Sequence, residues 1–118
     1  MVGKSGTGTM KDVVAGKRKL SIPFIKIACF FLDRLNEEHI GVTVMNQTGL
    51  KSGTVYPVLK KMTSEGILDA RWEDADPYKD RQPRRLYKIT DLGIGVLEET
   101  LAEIMPRRMF VIRKYLRR

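Results

Sequence analysis

The segment Leu50–Leu68, LKSGTVYPVLKKMTSEGIL, decides how the rest of the chain reads. Val55, Leu59 and Met62 recur at spacings of four and three, with Val58 beside them, so they form the buried stripe of an amphipathic helix. Ser52 is expected to cap its start, the hydroxyl accepting from a backbone amide that has no helical partner. Gly66 fits the left-handed position just past the last turn, where Ile67 can fold back onto the helix. Pro57 is cheap only near a helix start, so the helix either begins just before it or bends there. The first turn therefore carries Gly53, Thr54 and Tyr56 toward solvent, and Lys60 and Lys61 follow one turn later.

Upstream of this segment, Ser21 is placed to cap another helix and Pro23 fits its first turn. Phe24, Ala28, Phe31 and Leu35 share one face, and Ile25, Ile27, Phe30 and Leu32 widen it until the helix is apolar nearly all round. Such a helix must be covered on more than one side, by its own domain or by a second subunit. The polar break NEEHIG follows, with His39 expected to be exposed. Thr43–Gln47 is a short second helix and Thr48-Gly49 a turn. Downstream of Gly66 the period changes to two: ILDARWED and RRLYKIT alternate as strands around a charged tip, ADPYKDRQP. Thr90 caps a fourth helix, with Asp91 in its positive first turn. Leu97, Leu101, Met105, Met109, Ile112 and Leu116 continue one stripe that Pro106 interrupts.

The 118 residues suit one domain, divided as a flexible basic arm (1–19), a core domain (20–96) and a C-terminal helix (97–118). Twenty-two Lys and Arg against fourteen Asp and Glu give a net charge of +8, a balance that suits a polyanionic partner such as nucleic acid. One cysteine and one histidine leave no intrachain disulfide and no usual zinc ligand set; Cys29, inside the apolar run FIKIACFFL, reads as a buried thiol. No run is long enough to span a membrane and no secretory leader is evident, so the chain reads as soluble and cytoplasmic. Gly3-Lys4 in GKSGTGT lacks the strand and upstream glycine of a phosphate loop. No paired carboxylates, nucleophile with a base, or metal cluster stands at a telling spacing, so no enzyme and no cofactor is expected.

Helix, short helix, tight turn, helix and two-stranded hairpin is the order of a winged helix-turn-helix, in which the third helix presents its N-terminal residues to base edges in the major groove. The expected DNA contacts are Thr43 on the short helix, Lys51, Ser52, Gly53, Thr54, Tyr56, Lys60 and Lys61 on the third, and Lys79, Arg81, Arg84 and Arg85 on the hairpin. Between Ile67 and Thr90 five acids accompany six bases, so those cations could instead pair within the wing. The fold class is α+β, mostly helical, with dimerisation helices at both ends: Phe24 and Phe31 in the first, and Leu97, Leu101, Met105, Met109, Ile112 and Leu116 in the last.

These residues carry a family resemblance. Gly53, Thr54, Val55, Tyr56, Pro57 and Leu59, then Glu65, Gly66 and Ile67, then Arg85, Tyr87, Ile89, Thr90 and Gly93 resemble the motifs of the PadR family of winged-helix transcriptional regulators over about residues 42–97. The Gly-Tyr-Glu-Leu-like opening of the family's second helix is absent, GVTVMNQTG being closer to a general MarR-type pattern. The resemblance implies a homodimeric regulator, a repressor in this reading, that binds an inverted-repeat operator in double-stranded DNA. It also implies that a small-molecule effector, if there is one, sits between wing, dimer helices and core. The alternative is a winged-helix protein-interaction or assembly module. That reading rests on MPRRMFVIRKYLRR (105–118), a basic amphipathic segment suited to an acidic partner or a membrane surface.

Overall fold

The computed structural model describes residues 13–15 and 18–104. Two short strands, β1 (Val13–Ala15) and β2 (Arg18–Leu20), pair antiparallel with Val13 opposite Leu20. The stretch expected to be a flexible basic arm (1–19) thus holds two paired strands, and the second ends on Leu20, which is fully buried. Helix α1 (Ile22–Leu32) follows, its start capped by Ser21, whose Oγ accepts from the Phe24 amide at 3.3 Å, with Pro23 in the first turn. Phe24, Ile27, Ala28, Phe30, Phe31 and Leu32 are buried and Ile25 and Cys29 half-buried, which is the many-sided cover an all-apolar helix requires.

Strand β3 (His39–Ile40), helix α2 (Gly41–Thr48) and helix α3 (Ser52–Ser64) come next. The turn between the two helices is made by Gly49 at φ 75°, whose amide donates to the Met45 carbonyl at 2.8 Å. Thr48 Oγ1 donates to the Val44 carbonyl at 2.7 Å and accepts from the Leu50 amide at 3.3 Å, so one hydroxyl serves both sides of the turn. α3 runs through Pro57, its sixth residue, which leaves the carbonyl of exposed Gly53 to solvent instead of an amide. It ends at Gly66 (φ 79°), with the Ile67 amide returning to the Met62 carbonyl at 2.9 Å and Ile67 buried, the six-to-one closure with its apolar contact.

Strands β4 (Leu68–Trp72) and β5 (Arg85–Ile89) are antiparallel, with Leu68 opposite Ile89, Ala70 opposite Tyr87 and Trp72 opposite Arg85. The sheet has three strands, in the order β3-β5-β4, because His39 and Ile40 pair with Tyr87 and Leu86. The polar break expected before α2 therefore holds a strand. His39 is not exposed there: its ring lies edge-on to Phe30 and Phe31 at 4.9 and 6.1 Å. Arg71 and Glu38 form a two-pronged ion pair at 2.6 and 2.8 Å, tying β4 to the residue before β3 across the middle strand.

Helix α4 (Asp91–Ala102) closes the domain. Thr90 Oγ1 accepts from the Gly93 amide at 2.8 Å and reaches the Gly66 carbonyl at 2.7 Å, so one side chain joins the end of α3 to the start of α4. Val55, Leu59 and Met62 of α3 meet α1, Ile67 of the turn after α3, Leu68 and Ile89 of the sheet, and Leu97 and Leu101 of α4 in a single core. Phe24, Phe31, Leu97 and Leu101 are all inside it, at 4% exposure or less. That corrects their expected role as a dimer surface: the subunit's own elements already cover them. Met105, Met109, Ile112 and Leu116, and the bend expected at Pro106, lie outside the described residues.

Candidate nucleic-acid interface

The start of α3 is bare. Lys51, not Ser52, occupies the cap position, and no side chain bonds the free amides of the first turn. The Ser52 cap expected from the sequence is therefore displaced by one residue, and the hydroxyl becomes part of the exposed helical surface. The Thr54 and Val55 amides both return to the Lys51 carbonyl at 2.9 Å, so the unpartnered end is the Ser52–Gly53 peptide and the positive end of the helix dipole. Lys51, Ser52, Gly53, Lys60 and Lys61 are exposed and Thr54 is half-buried, as is Thr43 on α2.

Tyr56 is 41% exposed but does not simply project outward. Its ring is turned against Gly41 at the head of α2, where an added Cβ would stand 2.5 Å from the phenol oxygen. Gly41 thus makes room for the ring, and Tyr56 holds α2 and α3 at their working angle while leaving one face in solvent. Behind it opens a groove of about 420 Å³ between Tyr56, Lys60 and Thr63 on α3 and Ala70, Arg85 and Tyr87 on the sheet. Burial holds the Tyr87 phenol above its ordinary titration range, against the opposing pull of Arg85.

On the wing, Lys79, Arg81 and Arg84 are exposed and Arg85 half-buried. Arg81 and Arg84 converge on Glu73: Arg81 Nη1 donates to Oε1 at 2.7 Å, Arg84 Nη2 to Oε2 at 2.9 Å, and the Arg84 amide also donates to Oε1 at 3.2 Å. Hydrogen bonds from Arg81 and then Arg84 keep this carboxylate far below the usual range, so it is ionised at any neutral pH. One carboxylate against two guanidiniums leaves the cluster positive. The internal pairing that wing composition allowed is thus realised for Arg81 and Arg84, whereas Arg71 pairs outside the wing, with Glu38. Sequence reading missed two further features. Glu73 orders the wing base, and Trp72 is 62% exposed with the Arg85 guanidinium 5.1 Å from its ring centre. The signal for the second was the register: only pairing Leu68 with Ile89 brings Trp72 opposite Arg85.

A three-helix unit with a three-stranded sheet, an exposed third-helix end and a basic wing defines a winged helix-turn-helix of the DNA-binding type. Comparison with known sequences and structures narrows the class. The chain matches the transcriptional regulator PadR-like family over residues 32–99, more than half its length, and belongs to that family. It is similar in fold to a PadR-like transcription factor from Bacteroides fragilis (TM-score 0.56, 22% identity, 68% of this chain and 80% of that one). A PadR family regulator from Eggerthella lenta superposes with the same TM-score of 0.56 at 22% identity, over 80% of this chain and 81% of that one. Bacillus subtilis PadR, solved in complex with operator DNA, gives a TM-score of 0.55 at 24% identity over 78% of this chain and 57% of that one. No curated protein matches. Among the described residues no helix is long and apolar enough to cross a membrane.

Proposed function

We propose that this member of the PadR-like family is a homodimeric repressor that binds an inverted-repeat operator through recognition helix 52–65 and wing 67–90. The observation that carries the reading is the uncapped, exposed start of α3, flanked by cations on both sides. Free amides and a positive dipole end favour a phosphate, and the adjoining small side chains allow close approach to base edges. The B. subtilis relative bound to operator DNA supports the same use of the fold. Two symmetry-related recognition helices would read half-sites about 34 Å apart.

Selection of bound fragments from random-sequence DNA tests the proposal, because a dimer must recover two inverted half-sites about one helical turn apart. Gel-shift titration on the selected site then separates roles. Thr54→Ala should relax specificity, lowering affinity for the selected site by about 1 kcal/mol or more while sparing unrelated DNA. Lys60→Ala should weaken binding to all sequences alike and reduce the log–log salt slope by about 0.9. If neither substitution changes affinity, α3 is not the reading head.

A further inference from the structure

Trp72 stands where no core needs it. Successive side chains of a strand alternate between faces, so Leu68, Ala70 and Trp72 share one side of β4. Leu68 is buried in the core, and Ala70 lines the groove beside α3 with Lys60 and Tyr56. Trp72 therefore lies further along that same face of the strand, where it is 62% exposed. Its cross-strand partner Arg85 lines the same groove from β5 and holds its guanidinium 5.1 Å from the indole centre. Lys60 supplies a second cation from the helix side, and no acidic residue lines the groove. The nearest carboxylate along the strand, Glu73, is occupied by Arg81 and Arg84.

We infer that the Trp72–Arg85 pair and the groove it borders form a docking site for the sugar–phosphate backbone of double-stranded DNA, alongside the major groove entered by α3. A planar indole packs on a deoxyribose, and a guanidinium already stacked on that indole donates to the adjoining phosphate with its direction fixed in advance. The charge of the groove matches the occupant, and the site continues the surface already assigned to DNA. This inference rests on the DNA-binding reading of α3 and the wing, which already includes Lys60 and Arg85, and adds to it the contact made by Trp72. Trp72 carries no charge and so contributes by contact, not by long-range attraction.

The chain contains one tryptophan, so its fluorescence reports this position alone when excited at the red edge, where the four tyrosines do not absorb. The full-length protein is titrated onto a fluorescein-labelled random-sequence duplex of about 30 base pairs, long enough for two half-sites, at low salt. Anisotropy of the label reports binding, and acrylamide quenching reports access to Trp72. At saturation the quenching should fall several-fold. Trp72→Ala should weaken binding about tenfold and Trp72→Phe much less, with thermal midpoints unchanged. Saturating anisotropy with unaltered quenching, or a Trp72→Ala variant that binds like the parent, overturns the inference and leaves the α3 reading standing. No anisotropy change at any protein concentration overturns both.

Discussion

Gly93 and Gly95 sit two residues apart in α4 and make opposite demands. A methyl on Gly93 would collide with the Ile67 carbonyl oxygen and stand 2.9 Å from its carbonyl carbon, whereas one on Gly95 would meet nothing within 4 Å. Backbone cannot rotate aside as a long side chain does, so Gly93→Ala should destabilise the fold by about 3 kcal/mol. Gly95→Ala, in an exposed helix interior, should stabilise it by about 0.5–1 kcal/mol. Urea unfolding of the two variants checks the contrast. His39 gives the pH dependence. Burial against Phe30 and Phe31 lowers its pKa first of all, Arg34 adds to that, and Glu37, 3.3 Å from Nε2, opposes it. The folded state therefore resists a proton that the unfolded chain accepts near pH 6.5. Stability should be full above about pH 6.5 and fall as the pH drops through that value. Thermal midpoints measured between about pH 7.5 and 5.5 should decline for the parent and stay flat for His39→Gln, since unfolded carboxylates titrate below that window.

The wing shows how local chemistry orders an element that has no core of its own. From Glu73 to Arg84 the chain is held at its base by the Glu73 amide on the Arg84 carbonyl at 2.8 Å and by the Glu73 carboxylate on both arginines. Within the tip, Asp76 bonds the Tyr78 amide at 2.9 Å and its carbonyl accepts from Lys79. Glu73→Gln removes the charge that gathers two guanidiniums, so the tip should open more often while the core is untouched. Trypsin should then cut after Lys79 and Arg81 several-fold faster, seen by mass spectrometry, at an unchanged thermal midpoint. Equal cleavage rates would mean that the backbone alone orders the wing. The elements legible in the sequence were those whose cues are local: the Ser21 and Thr90 caps, the α3 stripe, the Gly66 closure and the alternation of β4 and β5. The β3 strand was not legible, because two residues carry no period and only the distant Leu86 and Tyr87 make them a strand. Ser52 was misread as a cap because local preference favours serine there, whereas the helix begins one residue sooner than that preference implies, with Lys51 at the cap and no side chain bonding its amides.

At the scale of the molecule, the described residues make a complete hydrophobic core, with α1 wrapped by α2, α3, the sheet and α4. Sequence reading assigned Phe24, Phe31, Leu97 and Leu101 to a partner because apolar periodicity shows that a face is covered but not by what. With those side chains committed inside the subunit, the proposed dimer depends on surfaces beyond them, and the remaining apolar stripe of Met105, Met109, Ile112 and Leu116 is the natural source. A chain ending at Ile104 should therefore keep its helical circular dichroism and cooperative unfolding, yet sediment as a monomer where the full chain sediments as a dimer. Two linked recognition helices bind the second half-site at a high effective concentration, so the truncated chain should lose about 10²–10⁴-fold in affinity for the two-half-site DNA while its affinity for a single half-site stays close to the parent's. A truncated chain that remains dimeric would move the dimer interface onto the described domain. One that fails to fold would show that the C-terminal stripe belongs to the subunit's own core.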